Sequence, residues 1–176
     1  PTPILEPEQA HFFLIASATQ HDLCRSTVRG EWFLQRKHAE QINHRLQPSN
    51  TTTTSNHQVM LFFTVSDSRH IQGAALVTEA CQYLSKLDQP GKDSFCFRVG
   101  VEWYRTTEFP ISIALEVAPD LILPTASTQF CQDLSSSTGA SLMKALWNSP
   151  LVTLYESWSD DAEPPENILA DFREPA

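Results

Sequence analysis

The apolar residues of this chain gather in short runs that predict the strands of a buried sheet. Residues 12–15 are four consecutive apolar residues, and residues 59–65 (VMLFFTV) form a second run. Such runs are typical of strands that are covered on both faces. A third strand is predicted over residues 72–77, and the alternation of apolar and polar residues over 97–104 predicts a half-buried strand. Residues 111–117 alternate in the same way and predict one more strand.

Helices are predicted where capping residues flank apolar residues at helical spacing. Thr19 and Asp22 have the spacing of a capping box, and Gly30 follows at the end of the same segment, which predicts one short helix between them. Residues 36–46 predict a second helix, and the serines and threonine at 135–138 predict the start of a last one. Because helices and strands are mixed without a strict repeat, the predicted fold class is α+β.

Trp32 follows the first predicted helix directly. Its neighbours include the polar residues Glu31, Gln35 and Arg36. This polar context predicts that Trp32 lies at the mouth of a loop, with one face of its indole ring open to solvent. A tryptophan held in that way presents a rigid aromatic surface to a ligand.

The charges of the chain divide it into three segments. The formal net charge is −9 over 176 residues. Residues 148–176 contain seven acidic side chains and one basic side chain, whereas residues 11–147 are nearly neutral. We therefore predict an N-terminal extension over residues 1–10, one domain over residues 11–147 and an acidic C-terminal tail over residues 148–176. An acidic tail beside a locally basic body neither excludes nor favours a polyanionic partner.

The sequence contains none of the common catalytic motifs. It has no GxSxG, no glycine-rich phosphate loop and no HExxH, and only five glycines in total. Its six histidines and four cysteines lack metal-ligand spacing, so we predict neither a metal nor a cofactor. The scattered cysteines, with no long apolar run and no visible signal peptide, predict an intracellular protein, nuclear or cytoplasmic, without a membrane span. An enzyme is therefore the weakest functional hypothesis.

Three segments resemble, in the correct order, the motifs of one protein family. Residues 12–32 (FFLIASATQHDLCRSTVRGEW) resemble the opening of a YTH domain, in which a strand like FFLIKS leads into a short helix and then G-x-W. Residues 59–76 (VMLFFTVSDSRHIQGAAL) are similar to the family's LFFSV, turn and F-Q-G segment. Residues 97–110 (FRVGVEWYRTTEFP) resemble the family's strand that ends in tryptophan before an L-P-F-like turn.

The resemblance implies both a fold and a function. YTH domains form a mixed, open-sided β-barrel with packed helices, and they read N6-methyladenosine in single-stranded RNA through an aromatic cage. Proteins read RNA mainly where its bases are unstacked, and one base stacked on an aromatic ring contributes about 1–3 kcal/mol. The resemblance therefore predicts a non-catalytic RNA-binding module whose partner is methylated single-stranded RNA.

The resemblance also implies which residues form the cage. Trp32 matches the family's first cage tryptophan; the alternative is that it belongs to the core. Phe95 stands eight residues before Trp103, where the family has another cage residue. The alternative for Phe95 is that it begins the core of the following strand. The loop after the third strand contains no tryptophan, and Tyr83 is the aromatic residue assigned to the remaining cage position.

Polar contacts to the base are implied at three further residues. Ser17 matches the family serine that contacts the nucleotide, and Asp22 occupies the position that faces adenine N1. Phe33 matches the residue whose backbone carbonyl meets the methylated N6. An ionised carboxylate only accepts hydrogen bonds, so Asp22 would need a proton or a bridging water to meet N1. The alternative for Asp22 is a role in capping the helix alone.

The chain departs from the family at three positions where basic or polar residues are expected. Ala16, Leu76 and Gln129 stand at these positions. Phosphate contacts supply much of the affinity for nucleic acid, so their loss weakens the RNA hypothesis. Four basic residues are the candidates for replacing these contacts: Arg25, Arg29, Arg36 and Lys37. The alternative is that they form a solvated charged surface.

Two functional hypotheses therefore stay open. The first is a divergent YTH domain that reads methylated adenosine. The second is a degenerate YTH fold without methyl reading that serves as an interaction module for a protein partner. Two aromatic side chains that converge on one pocket with Ser17 would favour the first hypothesis. A pocket filled by Phe33 or Phe130 would favour the second.

Overall fold

The computed structural model describes residues 10–47, 57–66, 68–84, 97–123 and 130–152. Seven strands and four helices occupy these residues. The strands are β1 (Ala10–Ser17), β2 (Glu31–Leu34), β3 (Gln58–Val65), β4 (His70–Val77), β5 (Gln82–Tyr83), β6 (Phe97–Pro110) and β7 (Phe130–Leu134). The helices are α1 (Gln20–Arg29), α2 (Arg36–Leu46), α3 (Ile111–Val117) and α4 (Ser136–Trp147). None of the helices in these parts of the chain has the length and hydrophobicity that a membrane span requires.

The strands form one mixed sheet in the order β2-β6-β4-β3-β1-β7, and β5 pairs with β6 beside this path. β1 and β3 are parallel, and the other pairs are antiparallel. The sheet curls into a half-barrel, so that side chains of β1 and β2 belong to the same core. The predicted α+β fold with an open-sided barrel is confirmed.

Two hydrophobic cores cover the two faces of the sheet. The first core lies between the sheet and helices α1 and α2, and the second lies between the sheet and helices α3 and α4. Side chains of β1 alternate between them, with Phe13 and Ile15 in the first core and Phe12 and Leu14 in the second. Because both faces are buried, the strand needs apolar residues at every position. This explains the uninterrupted apolar runs in the sequence.

The predicted helix caps are confirmed. Thr19 precedes α1, and its Oγ1 accepts a hydrogen bond from the backbone N–H of Asp22 at 3.1 Å. Gly30 ends α1 in the left-handed conformation, with a φ angle of 66°, which glycine adopts without strain. Ser135 caps α4 by accepting a hydrogen bond from the N–H of Thr138 at 3.2 Å. The caps of α1 set where β1 ends and β2 begins, and the Ser135 cap sets where β7 gives way to α4.

Two local predictions were wrong. Residues 111–117, predicted as a strand, form helix α3. In the helix, Ile111 and Leu115 pack on the second core, whereas Ile113 and Val117 are exposed. These pairs are spaced i and i+4, so the alternating sequence also fits a helix that packs along one side. Trp32, predicted at the mouth of a loop, lies within strand β2.

The first residues of the predicted tail contact the domain. Arg105 on β6 donates a hydrogen bond to the carbonyl of Ser149 at 2.6 Å. The backbone N–H of Val152 donates to the carbonyl of Thr106, and the hydroxyl of Thr106 donates to the carbonyl of Val152. The division at residue 148 stays a prediction, and residues 153–176 of the acidic tail lie outside the described residues.

A pair of histidines joins β1 to the start of β3. Nε2 of His11 lies 3.2 Å from Nδ1 of His57, and the two rings stack with centroids 5.4 Å apart. Burial lowers the pKa of His11 below its ordinary value of 6.5, and the nearby charges of Arg45 and His57 lower it further, against an opposing effect of Asp133. The folded protein therefore favours the neutral imidazole of His11.

We expect this histidine to make folding stability depend on pH. Since the folded pKa is lowered, the unfolded chain binds the proton more readily than the folded chain. The contribution of His11 is complete above pH 6.5 and is lost as the pH falls below that value. Urea unfolding between about pH 5 and 8 measures the effect. His11→Gln should give a flatter pH dependence than the wild type, and an unchanged dependence would contradict the assignment.

Candidate functional site

The end of β1 and the start of α1 position the first two predicted site residues. Ser17 is buried, and its hydroxyl donates a hydrogen bond to the carbonyl of Thr19 at 2.7 Å. This bond holds the turn that leads into α1. Asp22 lies half-buried in the first turn of the helix, where a carboxylate is favoured by the helix dipole. The Ser17 hydroxyl and the backbone of Asp22 are therefore held by the same capped turn.

Trp32 is part of an aromatic row inside the barrel. Its ring meets that of Phe63 edge-on, with centroids 5.1 Å apart and planes at 71°. Phe63 stacks in turn on Trp103 at 4.7 Å. The indole N–H of Trp103 donates to the hydroxyl of Ser26 on α1 at 3.1 Å. The row thus ties three strands and a helix together around Trp32.

Trp32 is more buried than its sequence context predicts. Only 7% of its surface is exposed, and its indole Nε1 is buried without a hydrogen-bond partner among the described residues. A tryptophan N–H inside a protein usually has an acceptor, because burying it unpaired costs about 1–3 kcal/mol. Trp32 therefore belongs to the first core and also carries a donor that no described residue satisfies.

Neither of the two phenylalanines proposed as pocket fillers packs in the first core. Phe33 is adjacent to Trp32 on β2, so its half-buried side chain points to the opposite face of the strand. Phe130 packs on the second core, on the other side of the sheet. Instead, Phe63 and Trp103 accompany Trp32. The alternation of Val99, Val101 and Trp103 on one face of β6 was the sequence signal for that arrangement.

Tyr83 lies at the edge of the sheet on β5. Its ring meets Phe97 edge-on, with centroids 5.6 Å apart. The guanidinium carbon of Arg36 lies 5.9 Å from the centroid of Tyr83 and 5.4 Å from that of Phe97. No ring contact joins Tyr83 to Trp32 within the parts of the chain that the structure describes. Phe95, the other predicted cage residue, lies outside those parts.

Basic side chains are available on the outer surfaces of α1 and α2. The four predicted phosphate-binding residues are all exposed: Arg25, Arg29, Arg36 and Lys37. Arg98 on β6 is occupied instead, because it binds Glu31 at 2.5 Å and Glu79 at 3.3 Å. The hydrogen bond that Arg98 donates to the Glu31 carboxylate raises the pKa of Arg98. The cations of α1 and α2 are therefore better placed for an anionic partner than Arg98.

Two of the three positions where the family has basic or polar residues carry buried or partly buried apolar side chains in this chain. Ala16 is 3% exposed and pairs with Thr64 and Phe130 in the sheet. Leu76 is partly buried and packs on the second core. Gln129 lies outside the described residues. The buried methyl group of Ala16 has no donor, so this residue provides no side-chain contact to a phosphate.

Two cysteines near α2 remain protonated at neutral pH. Burial raises the pKa of the Cys81 thiol to about 12, and burial raises that of Cys131 to about 12 as well. A protonated thiol is a weak nucleophile and a poor metal ligand. No group of three His, Cys, Asp or Glu side chains is placed to hold a metal ion within the described ranges. An open depression of about 580 Å³ on α2 includes Cys131 and Lys37 in its lining, but none of the aromatic residues.

Several solved YTH domains have the same fold. The YTH domain of the Zygosaccharomyces rouxii MRB1 protein, solved with N6-methyladenosine RNA, matches with a TM-score of 0.61 and 16% identity, over 86% of this chain and 95% of that one. The Toxoplasma CPSF4 YTH domain, solved with a 7-mer m6A-modified RNA, matches with a TM-score of 0.65 and 17% identity, over 83% and 96% of the two chains. The Pho92 YTH domain, solved with m6A, matches with a TM-score of 0.64 and 19% identity, over 86% and 94%.

The family assignment rests on the sequence as well. No curated protein matches this chain in sequence. The family model of the YTH domain, described as a YT521-B-like domain, matches residues 10–147. Since this match spans most of the chain, and the solved structures with the same fold are YTH domains, the chain belongs to the YTH domain family.

Proposed function

We propose that this YTH domain binds single-stranded RNA and recognises N6-methyladenosine with a cage whose inner wall is Trp32. The observation that carries the proposal is the setting of Trp32, which combines a rigid aromatic environment with a buried N–H that has no acceptor in the described part of the chain. Solved relatives with the same fold were crystallised with N6-methyladenosine RNA, which supports the same ligand here. The chain supplies the cage tryptophan at the family's position, directly after Gly30 and Glu31.

A rigid wall suits the discrimination of one methyl group. A methyl group adds only about 0.8 kcal/mol of apolar burial, so a loose pocket would distinguish the two adenines poorly. The edge-on contact of Trp32 with Phe63, which itself stacks on Trp103, fixes the indole before the ligand arrives. Pre-organisation of this kind lowers the entropic cost of binding.

The capped turn at the start of α1 supplies the polar contacts in this proposal. Ser17 and Asp22 lie at its two ends, and Phe33 contributes its backbone carbonyl next to Trp32. An ionised Asp22 accepts hydrogen bonds only, so it reaches the N1 acceptor of adenine through a bridging water. The proposal needs no catalytic step.

Arg25, Arg29, Arg36 and Lys37 hold the phosphate backbone in this proposal. Each is exposed on α1 or α2, and together they replace the basic side chains that are missing at residues 16 and 76. Each phosphate contact to a single strand steepens the log–log salt dependence of binding by about 0.7. Phosphate contacts orient the RNA but do not read its bases.

A titration with matched short RNAs tests the proposal. The two RNAs have the same sequence and differ only in the methyl group of one adenosine. We expect the methylated RNA to bind at least about fourfold more tightly, which is the ratio that burial of one methyl group supplies at about 0.8 kcal/mol. Fluorescence anisotropy measures both dissociation constants. Equal affinities for the two RNAs would contradict methyl reading.

An interaction module without methyl reading is the second candidate, and a surface feature favours it. Ile113 and Val117 on α3 and Ile122 and Leu123 in the following turn are all exposed. Apolar side chains grouped on a surface often mark protein contacts. Under this hypothesis a protein partner binds α3, and the RNA titration shows no preference for the methylated strand.

A further inference from the structure

An exposed aromatic side chain lies beside an exposed arginine at one edge of the sheet. Tyr83 has 58% of its surface exposed, an unusual position for a large aromatic residue. The guanidinium of Arg36 lies over both the Tyr83 ring and the Phe97 ring. We call Tyr83, Arg36 and Phe97 the Tyr83 platform. Phe97 anchors the platform, since it is half-buried and packs on the first core.

The fold holds the Tyr83 platform rigidly. Strand β5 contains only Gln82 and Tyr83, which pair with Arg98 and Phe97 on β6. The side chain of Asn43 on α2 fixes the preceding residue, Cys81. Its Oδ1 accepts from the Cys81 N–H at 2.7 Å, and its Nδ2 donates to the Cys81 carbonyl at 3.1 Å. The aromatic surface of Tyr83 is thus ordered before any ligand binds, which lowers the cost of binding.

The charge of Arg36 is not neutralised by a carboxylate within the described residues. Nearby Glu31 and Glu79 both bind Arg98 instead. A guanidinium is planar, stacks on aromatic faces and binds phosphate through its N–H groups. The platform therefore combines a cation over one side of the Tyr83 ring with a largely exposed ring, the two features with which proteins hold single-stranded nucleic acid.

The platform lies close to the proposed methyl site but is not part of it. Phe97 pairs with Leu34 on β2, and Leu34 is two residues beyond Trp32 on the same face of the strand. Two strand residues span about 7 Å. We infer that the Tyr83 platform stacks the base of the nucleotide next to the methylated adenosine, an inference that rests on the proposed RNA binding. Tyr83 is then a contact to a flanking base and not a wall of the cage.

A stacked flanking base gives affinity without sequence preference. Every base has an aromatic face, so the platform accepts any of the four. It raises the affinity for methylated and unmethylated RNA by similar factors. The cage at Trp32 then sets the ratio between the two RNAs, and the platform and the phosphate contacts set how tightly both bind.

The test combines a tyrosine variant with an RNA that lacks the flanking base. Tyr83→Ala should bind both the methylated and the unmethylated RNA about tenfold more weakly than the wild type, because a base stack is lost. Tyr83→Phe keeps the ring and should bind like the wild type. Lys37→Ala is the matched control on the same helix, since it removes an exposed cation that has no aromatic partner among the residues the structure describes. Lys37→Ala should reduce the slope of the salt dependence of binding, and it should lower the affinity less than Tyr83→Ala does.

RNAs that lack one flanking base distinguish the loss of base stacking from other effects of the tyrosine substitution. Methylated RNAs with an abasic nucleotide on the 5′ or the 3′ side of the adenosine are titrated against each protein. One of them should bind the wild type about tenfold more weakly, and Tyr83→Ala should show no further loss with that RNA. Wild-type affinity of Tyr83→Ala, or a loss confined to methylated RNA, would overturn the platform but leave the proposed function intact. Absence of RNA binding by the wild type would overturn both.

Discussion

Replacing Trp32 with alanine is expected to lower the free energy of unfolding by about 3–5 kcal/mol, because it leaves a large cavity in the first core. The indole packs edge-on against Phe63, and only 7% of its surface is exposed. For a domain of this size such a loss lowers the melting temperature by about 10 °C. Urea unfolding and thermal melting measure the effect. Stability equal to that of the wild type would show that Trp32 is not part of the core.

Because the alanine variant disturbs folding, Trp32→Phe is the variant that tests binding. Phenylalanine keeps an aromatic ring in the core, so most of the folding stability should remain. It removes the indole N–H and part of the wall that contacts the methyl group. We expect the variant to lose the preference for methylated RNA while it still binds RNA through the exposed cations. A folded Trp32→Phe variant with full methyl preference would place the cage elsewhere.

Gly73→Ala is expected to have a comparable effect on folding. A Cβ atom at residue 73 would lie 2.1 Å from the backbone carbonyl oxygen of Arg105 and 3.0 Å from Cζ3 of Trp103. The φ angle of 155° at Gly73 is also unfavourable for residues with a side chain. Backbone of the paired strand cannot move aside, so we expect a loss of at least about 3 kcal/mol.

Gly100→Ala is the matched control for Gly73→Ala. Its added Cβ would meet the Thr78 hydroxyl at 2.9 Å and the Glu79 carboxylate at 3.1 Å. Both contacts are the ends of exposed side chains, which rotate away at little cost. The control should therefore change the free energy of unfolding by no more than about 1 kcal/mol. If both variants lost a similar amount of folding free energy, the close packing of β4 on β6 at Gly73 would not explain the loss in Gly73→Ala.

Much of the fold was predictable because its signals are local. The cap at Thr19 and the stop at Gly30 depend on residues within one or two turns of α1, and both are confirmed. The apolar runs of β1 and β3 reflect burial on both faces. The strand prediction over residues 111–117 failed because apolar residues at every second position also include pairs spaced i and i+4. Such pairs fit one side of a helix, and here that side packs together with α4 in the second core.

The site was less predictable, because its geometry depends on residues far apart in sequence. The family motifs indicated Trp32, Ser17 and Asp22, but not that Phe63 would pack against the indole and Trp103 against Phe63. The contact between Trp32 and Phe63 requires the curled sheet, which brings β3 close to β2. The polar residues around Trp32 predicted exposure, whereas packing across the barrel determines its burial. The contacts of Arg36 also depend on residues far away in sequence, because its aromatic neighbours come from β5 and β6.

The most direct test of the methyl cage follows the indole N–H of Trp32 during the RNA titration. In a nitrogen–proton NMR spectrum each tryptophan gives one indole signal, and the signal missing in Trp32→Phe identifies that of Trp32. We predict that methylated RNA shifts the Trp32 signal strongly and unmethylated RNA shifts it less. The signal of Trp103, whose N–H is bound to Ser26, should change little. A Trp32 signal that stays in place while methylated RNA binds would contradict the cage.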